Sequence, residues 1–481
     1  MSYPVNPEKS CKSCHMSSAL VIHGHFYQPP RENPWTGEVA PEPGAAPYHD
    51  WNERIHAECY APNVVNYPNI SFNFGPTLLT WLERHHPDTY EKILAADKES
   101  VARRSGHGNA IAQAYGHAIL PLCNAHDRLT QIVWGLADFR YRFGRDAEAL
   151  WLPETAANDE VLALLIDQGM RYVILSPNQA KSKINSAEPY LWRHPDGSGR
   201  SLELFFYNGP LAQAIAFEKA LKSSRELVDL FIGAAATGNL VNVATDGETY
   251  GHHFKFGDLC LAHALEVEAK QADFWITNYG EYLDRHPPEV EVEIDNGPGG
   301  EGSSWSCVHG LGRWLRDCGC HTGGEPGWNQ SWRKPLREAL NFLRDDAAIK
   351  FENFGSQLLR DPWAARNDYI AVMLDERTRD EFFVRHALRP REESRALKLL
   401  EMQRSALLMF TSCGWFFSDL AGIETIQVMR YAARVIDLQT QLGLEPPLES
   451  FLQLMAEAKS NDPEKGNGAD IFLRAAQPLQ R

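Results

Sequence analysis

Apolar runs of three or four residues that end in polar ones recur along the N-terminal part of the chain, at 19–22, 149–152, 172–175, 240–243 and 274–276. Such uninterrupted runs read as buried parallel strands. Segments 127–143, 159–168 and 258–270 lie between them and repeat apolar residues every three or four positions, the spacing of amphipathic helices, with Gly169 stopping the second. This alternation predicts an α/β fold. Polar residues fall just after the strands: His23 and His25, then Glu154, then Asp246 and Glu248. Because barrel sites sit at the C-terminal strand ends, that placement favours a β/α barrel. Residues 190–194 and 202–207 flank Pro195-Asp196-Gly197-Ser198-Gly199, which predicts a hairpin inserted into it.

Beyond about residue 287 the pattern changes. Residues 297–332 are rich in Gly, Trp and Cys, too irregular for regular structure and too aromatic for a disordered linker. Helical periodicity returns at 336–359, 389–411 and 423–442, and the polar segment 459–480 is expected to fray. The predicted organisation is a flexible segment 1–18, a β/α barrel 19–287, an irregular segment 288–332 and an α-helical domain 333–481.

Composition narrows the partners. With 47 Lys and Arg against 63 Asp and Glu, the net charge of −16 argues against nucleic acid and anionic membrane surfaces. No apolar run approaches the roughly 20 residues that span a bilayer, and the N-terminus lacks the apolar core of a signal peptide. A cytoplasmic protein is the expectation. Thirteen Trp offer flat faces for sugar rings, although large cores use Trp as well. The nine Cys are too scattered for a disulfide framework. Cys11, Cys14 and His15 match the C-x-x-C-H spacing of haem attachment, and together with Cys318, Cys320 and His321 they would make a thiolate and imidazole set for zinc. Incidental thiols on a flexible terminus are the expectation, with no metal and no cofactor.

Two carboxyls are candidates for chemistry. Glu154 follows a buried strand that Pro153 ends, so it projects either from a strand end or as an N-terminal carboxylate of the helix opened by Asn158-Asp159-Glu160. Asp246 precedes Gly247 and Gly251 in a turn that also holds Glu248, His252 and His253, which fits a functional loop better than a plain Asp-Gly turn. His23-Gly24-His25 could hold a metal or hydrogen-bond sugar hydroxyls. Nucleotide loops and a serine-nucleophile elbow are absent from the sequence.

Five segments in order then form a pattern. His23-Gly24-His25-Phe26-Tyr27-Gln28-Pro29, Tyr115-Gly116-His117-Ala118-Ile119-Leu120-Pro121-Leu122, Trp151-Leu152-Pro153-Glu154, Thr245-Asp246-Gly247-Glu248-Thr249-Tyr250-Gly251-His252, and Ser303-Ser304-Trp305-Ser306 with Arg313-Trp314 resemble the motifs of glycoside hydrolase family 57. The resemblance spans about residues 19–332. It implies a distorted (β/α)7 barrel followed by helices, an α-glucan or oligosaccharide substrate, no cofactor, and a retaining hydrolase or transglycosylase with Glu154 as nucleophile and Asp246 as general acid/base. By the same resemblance His23, His25, Gln28, His117, Glu248, His252 and Arg313 would bind substrate, and Trp35, Trp305 and Trp314 would stack on sugars. The inserted Phe26-Tyr27 and the Cys-rich stretch 307–320 depart from the usual motifs, so fold and carboxylate roles carry over better than specificity. A metal-dependent deacetylase or mannosidase-like enzyme, and a non-catalytic glucan-binding protein, are the alternatives. The sequence specifies no oligomeric state.

Overall fold

A computed structural model describes residues 17–389 and 391–476. The Cys11, Cys14 and His15 pattern, and most of the 1–18 segment expected to be flexible, lie outside the described residues.

Among the described residues nine strands are formed: β1 (Ala19–Phe26), β2 (Ser71–Phe74), β3 (Ala112–Gln113), β4 (Leu150–Trp151), β5 (Tyr172–Leu175), β6 (Tyr190–Arg193), β7 (Ser201–Phe206), β8 (Leu240–Asp246) and β9 (Trp275–Ile276). Seven of them circle the core in parallel, in the order β1-β2-β3-β4-β5-β7-β8. β1 is the hub, pairing His23–Phe26 with β2 and Ala19–His25 with β8. Single bridges join β2 to the approach of β3 and the approach of β4 to β5 (Phe72 with Ala110, Ala149 with Tyr172). Between β7 and β8 the ring is held by the Asn208 N–H donating to the Asn242 carbonyl at 2.8 Å. This weak seam is where the barrel departs from a closed cylinder. β6 pairs antiparallel with β7 as the hairpin signal predicted, but β7 also pairs parallel with β5. The hairpin is therefore half barrel wall, not a pure insertion.

Helix α1 (Ala125–Phe143) begins where the Asn124 side chain accepts the Asp127 N–H and ends on Gly144, whose φ of 67° is the left-handed stop that glycine provides. Helix α2 (Asp159–Asp167) is capped likewise by Asn158. Among the described residues no helix is long and apolar enough to cross a membrane.

Among the described residues two apolar cores result. One is built wholly from residues between Ala19 and Ile294. The second lies among helices α3 (Arg333–Gly355), α4 (Glu393–Leu408) and α5 (Ile423–Gln441) and takes in Tyr115, Ala118, Ile119, Trp134 and Ala156 from the barrel. The helices are thus docked on one barrel face. Trp134 donates its indole N–H to the Arg366 carbonyl, and buried Arg366 pairs with Asp127 at 2.8 Å. Of the segment 459–480 expected to fray, 477–480 lie outside the described residues, and Gly468–Ala475 is a helix with a reciprocal cap between Asn467 and Asp470.

Candidate active site

The C-terminal ends of β1, β2, β4 and β8 converge. In the sheet register His25 stands beside Asn73 on one side and Asp246 on the other. Glu154 comes in from the turn after β4, at φ +59°, and Thr155 follows at φ +51°. Two successive non-glycine residues in the left-handed region, one of them β-branched, are strained unless the surroundings hold them. Gln179 does so. Its amide donates to the Thr155 and Ser303 carbonyls at 2.8 and 3.1 Å, and its oxygen accepts the Thr155 hydroxyl at 2.8 Å. The left-handed turn is what drives the Glu154 carboxylate into the site instead of along the next helix.

That carboxylate is buried and well served by donors. The Ser306 hydroxyl donates to Oε2 at 2.7 Å and the Trp305 indole N–H to the same oxygen at 3.1 Å, while Ser412 donates to Oε1 at 3.5 Å. Burial still raises its pKa above the usual glutamate value, against the lowering by Ser306, Trp305 and the Arg313 charge. The Asp246 side chain reaches open solvent. Even so, the protein around it strips enough hydration to push its carboxyl up to about 7, with the Glu154 charge adding to the shift. One carboxylate is served by hydrogen-bond donors, and its neighbour has its carboxyl lifted towards neutrality.

A hydrogen-bond chain runs behind Glu154. Asn73 donates from Nδ2 to His25 Nδ1 at 2.9 Å, which leaves the proton on His25 Nε2 facing His117 Nε2 at 3.1 Å. His117 then donates from Nδ1 to Ser412 Oγ at 2.7 Å, and Ser412 donates to Glu154. Burial holds these imidazoles neutral, pushing His25 down to about 3 and His117 well below its usual value. His25 also stacks on Trp151, and His117 on Tyr27 at 3.8 Å between ring centres.

Several residues expected at the substrate are placed otherwise. His23 is fully buried beneath the site, with Nδ1 on Ser71 and Nε2 on Asn73, both at 3.0 Å, so it supports Asn73. A divalent ion shared by His23 and His25 would need ring nitrogens that Ser71, Asn73 and His117 already engage. Glu248 lies behind Asp246, accepting the Tyr27 N–H and the Tyr60 hydroxyl; burial, then the Asp246 charge, pushes it up to about 8. Trp314 is fully buried and donates to the Ser412 carbonyl. Trp35 donates to Asp437 on α5 and packs in the second core. Arg313, also buried, donates to the Phe416 and Ser306 carbonyls, so its role is to fix the loop that carries Ser306. Gln28 accepts from Arg31, and half-buried His252 pairs with Glu58. Trp305 does stand at the site, edge-on to Trp151, His25 and Tyr207.

A family model described as glycosyl hydrolase family 57 matches residues 10–295, more than half of the chain. The chain belongs to glycosyl hydrolase family 57. A second model, described as a domain of unknown function (DUF3536), matches residues 328–481. Among curated relatives, an alpha-amylase of Pyrococcus abyssi is 24% identical over 268 residues, covering 53% of this chain and 39% of that protein. A 4-alpha-glucanotransferase of Thermococcus litoralis is 23% identical over 265 residues, with the same coverage. The chain thus matches about two-fifths of the length of these relatives. Among solved structures, a maltose-forming amylase from Pyrococcus sp. ST04 superposes with TM-score 0.69 at 15% identity, covering 95% of this chain and 91% of that one. A family 57 branching enzyme from Pyrococcus horikoshii gives 0.58 at 15% identity, over 97% and 98%. At such identity these two establish the shared distorted barrel and helical region, that is, the fold.

Sequence reasoning missed Ser412. It lies in the region matched by the domain of unknown function, yet it reaches Glu154 and also donates its backbone N–H to the His117 carbonyl at 3.0 Å. No periodicity or spacing marks a lone serine after a helix. Ser306 lies inside the Ser303–Ser306 motif, but only the structure shows its hydroxyl on the carboxylate.

Proposed function

We propose that the protein is a retaining glycoside hydrolase or transglycosylase acting on α-glucans through a covalent glycosyl-enzyme. The observation that carries this reading is the pair of adjacent carboxyls with opposed environments: Glu154 receiving three hydrogen bonds, Asp246 lifted to about 7. Paired groups whose surroundings assign them different protonation are the mark of acid/base partners. Asp246 donates its proton to the glycosidic oxygen while ionised Glu154 attacks the anomeric carbon; Asp246, now a carboxylate, then takes the proton of water or of an acceptor hydroxyl as it displaces Glu154. Family membership and relatives named as alpha-amylases and 4-alpha-glucanotransferases support α-glucan as the substrate class. A cytoplasmic setting belongs to the same proposal, and the free thiols among the described residues fit a reducing compartment.

The test is the pH profile of kcat/KM on maltooligosaccharides. Activity requires Glu154 ionised and Asp246 protonated. It therefore rises through a limb above the ordinary glutamate value and falls through one near 7, both belonging to the coupled pair. Ser306→Ala removes a donor to ionised Glu154, worth about 1.5–3 kcal/mol for a charge-assisted bond. The Glu154 pKa then rises, and the acidic limb moves up by about 1 pH unit or more while the alkaline limb stays. An unmoved acidic limb in Ser306→Ala would remove Glu154 from the titrating pair.

A further inference from the structure

Segment 288–332 builds no helix longer than a single turn and no strand, yet it delivers Trp305 and Ser306 to Glu154. A stretch of that length without regular structure is uncommon in a compact fold and, when ordered, is usually functional. Directly after Ser306 comes Cys307, and the chain turns so that Cys307, His309, Cys318 and Cys320 bring their sulfurs and a ring nitrogen together, all within 4.8 Å of one another. The Cys307 sulfur lies 3.8 Å from those of Cys318 and of Cys320, and the Cys320 sulfur lies 3.6 Å from His309 Nδ1.

These are the edges of a metal tetrahedron. Zinc holds thiolate sulfur at about 2.3 Å and imidazole nitrogen at about 2.0–2.1 Å, so tetrahedral angles put sulfurs about 3.8 Å apart and sulfur about 3.6 Å from nitrogen. All three cysteines are free thiols. We propose that Cys307, His309, Cys318 and Cys320 bind one structural zinc ion, closing the C-x-H and C-x-C pairs into a clip beside the active site.

Two further features fit a filled site. Three thiolates and Zn2+ carry a net charge of −1, and the guanidinium of Arg333 lies beside the cluster to offset it. The fold also keeps the ligands in place: Arg333 donates to the Cys320 carbonyl at 2.7 Å, and a side chain at Gly312 would meet Cys318 Cβ at 2.8 Å. His321, which the sequence offers beside Cys320 as an alternative ligand, faces the Gly323 carbonyl. Cys307 and His309 complete the set, and the pair of short spacings, C-x-H then C-x-C, is the signal in the sequence.

Metal analysis of the full chain, purified without chelator, tests this directly. The expected result is about one zinc per chain in the wild type, as a four-ligand structural site requires. Cys318→Ser and Cys320→Ser should each fall to background, and Cys260→Ser, outside the cluster, should keep the zinc. Replacement of zinc by Co(II) in the wild type should give sulfur-to-cobalt charge-transfer bands and the intense visible bands of a tetrahedral thiolate site. Removing zinc should lower the melting temperature. A wild type without zinc that also gives no such bands on Co(II) titration overturns the proposal, as does a disulfide between two of the three cysteines in the native protein. These readouts do not depend on the catalytic reading. Loss of activity on zinc removal, through loosening of Trp305 and Ser306, would rest on that reading as well.

Discussion

Replacing Glu154 with Gln should lower kcat on maltooligosaccharides by roughly 10⁴-fold or more, in line with the loss seen when an enzyme's nucleophile is removed. The structure makes this a clean substitution. Gln is nearly isosteric, and its carbonyl can still accept from Ser306 and Trp305 on the oxygen side now occupied by Oε2. Its amide then faces Ser412, whose hydroxyl oxygen can accept. The fold and the strained turn, which Gln179 holds, should survive, so near-ultraviolet circular dichroism should match the wild type while turnover is lost. Initial rates of maltooligosaccharide consumption, followed by chromatography of substrate and products against the wild type at equal folded concentration, check the figure for hydrolysis and transfer alike. A residual rate within about tenfold of wild type would mean that Glu154 forms no covalent bond in the reaction.

Asp246→Asn should cost kcat about 10²–10⁴-fold, the usual share of a general acid/base, but with a different signature. Asparagine cannot donate a proton to the leaving oxygen, so the limb near 7 should vanish from the pH profile. The sign is fixed by the raised pKa: the competent protonated form dominates below about 7 and is lost above it. A maltosyl fluoride needs no protonation to depart. With that substrate the first step should proceed in Asp246→Asn and the second should stall, so that a glycosyl group accumulates on the Glu154 peptide and is seen by mass spectrometry. Retention of the alkaline limb in Asp246→Asn would assign that titration to another group. Glu248, pushed up to about 8 directly behind Asp246, is the alternative, and Glu248→Gln distinguishes the two.

The sequence made much of this architecture legible because the strands carrying Ala19–Phe26, Tyr172–Leu175 and Leu240–Asp246 bury both faces and so read as apolar runs. β2 and β3 were not legible. β2 reads Ser-Phe-Asn-Phe because its polar side chains point inward to His23 and His25, which inverts the usual polar-out pattern, and β3 has two residues. The helical region was visible from its periodicity, but its contribution of Ser412 to the site was not, since that contact depends on how the second core docks on the barrel. Motif position also left the depth of His23, Glu248 and Trp314 open, and no motif contains Trp35. A strand-end or loop position says that a residue is near the site, and it does not say in which layer. His23 and Trp314 lie one layer down, where they orient Asn73 and Ser412. Trp35 is turned away to Asp437 on the helical region.

The most direct measurement is time-resolved anomeric NMR, with mass spectrometry of the products, for wild type, Glu154→Gln and Asp246→Asn incubated with maltooligosaccharides and glycogen. The account predicts α-configured first-formed products from the wild type, as released sugar or as lengthened chains, and none at comparable enzyme concentration from either variant. First-formed β-configured products would contradict a glycosyl-enzyme on Glu154, and an active Glu154→Gln would contradict its role outright.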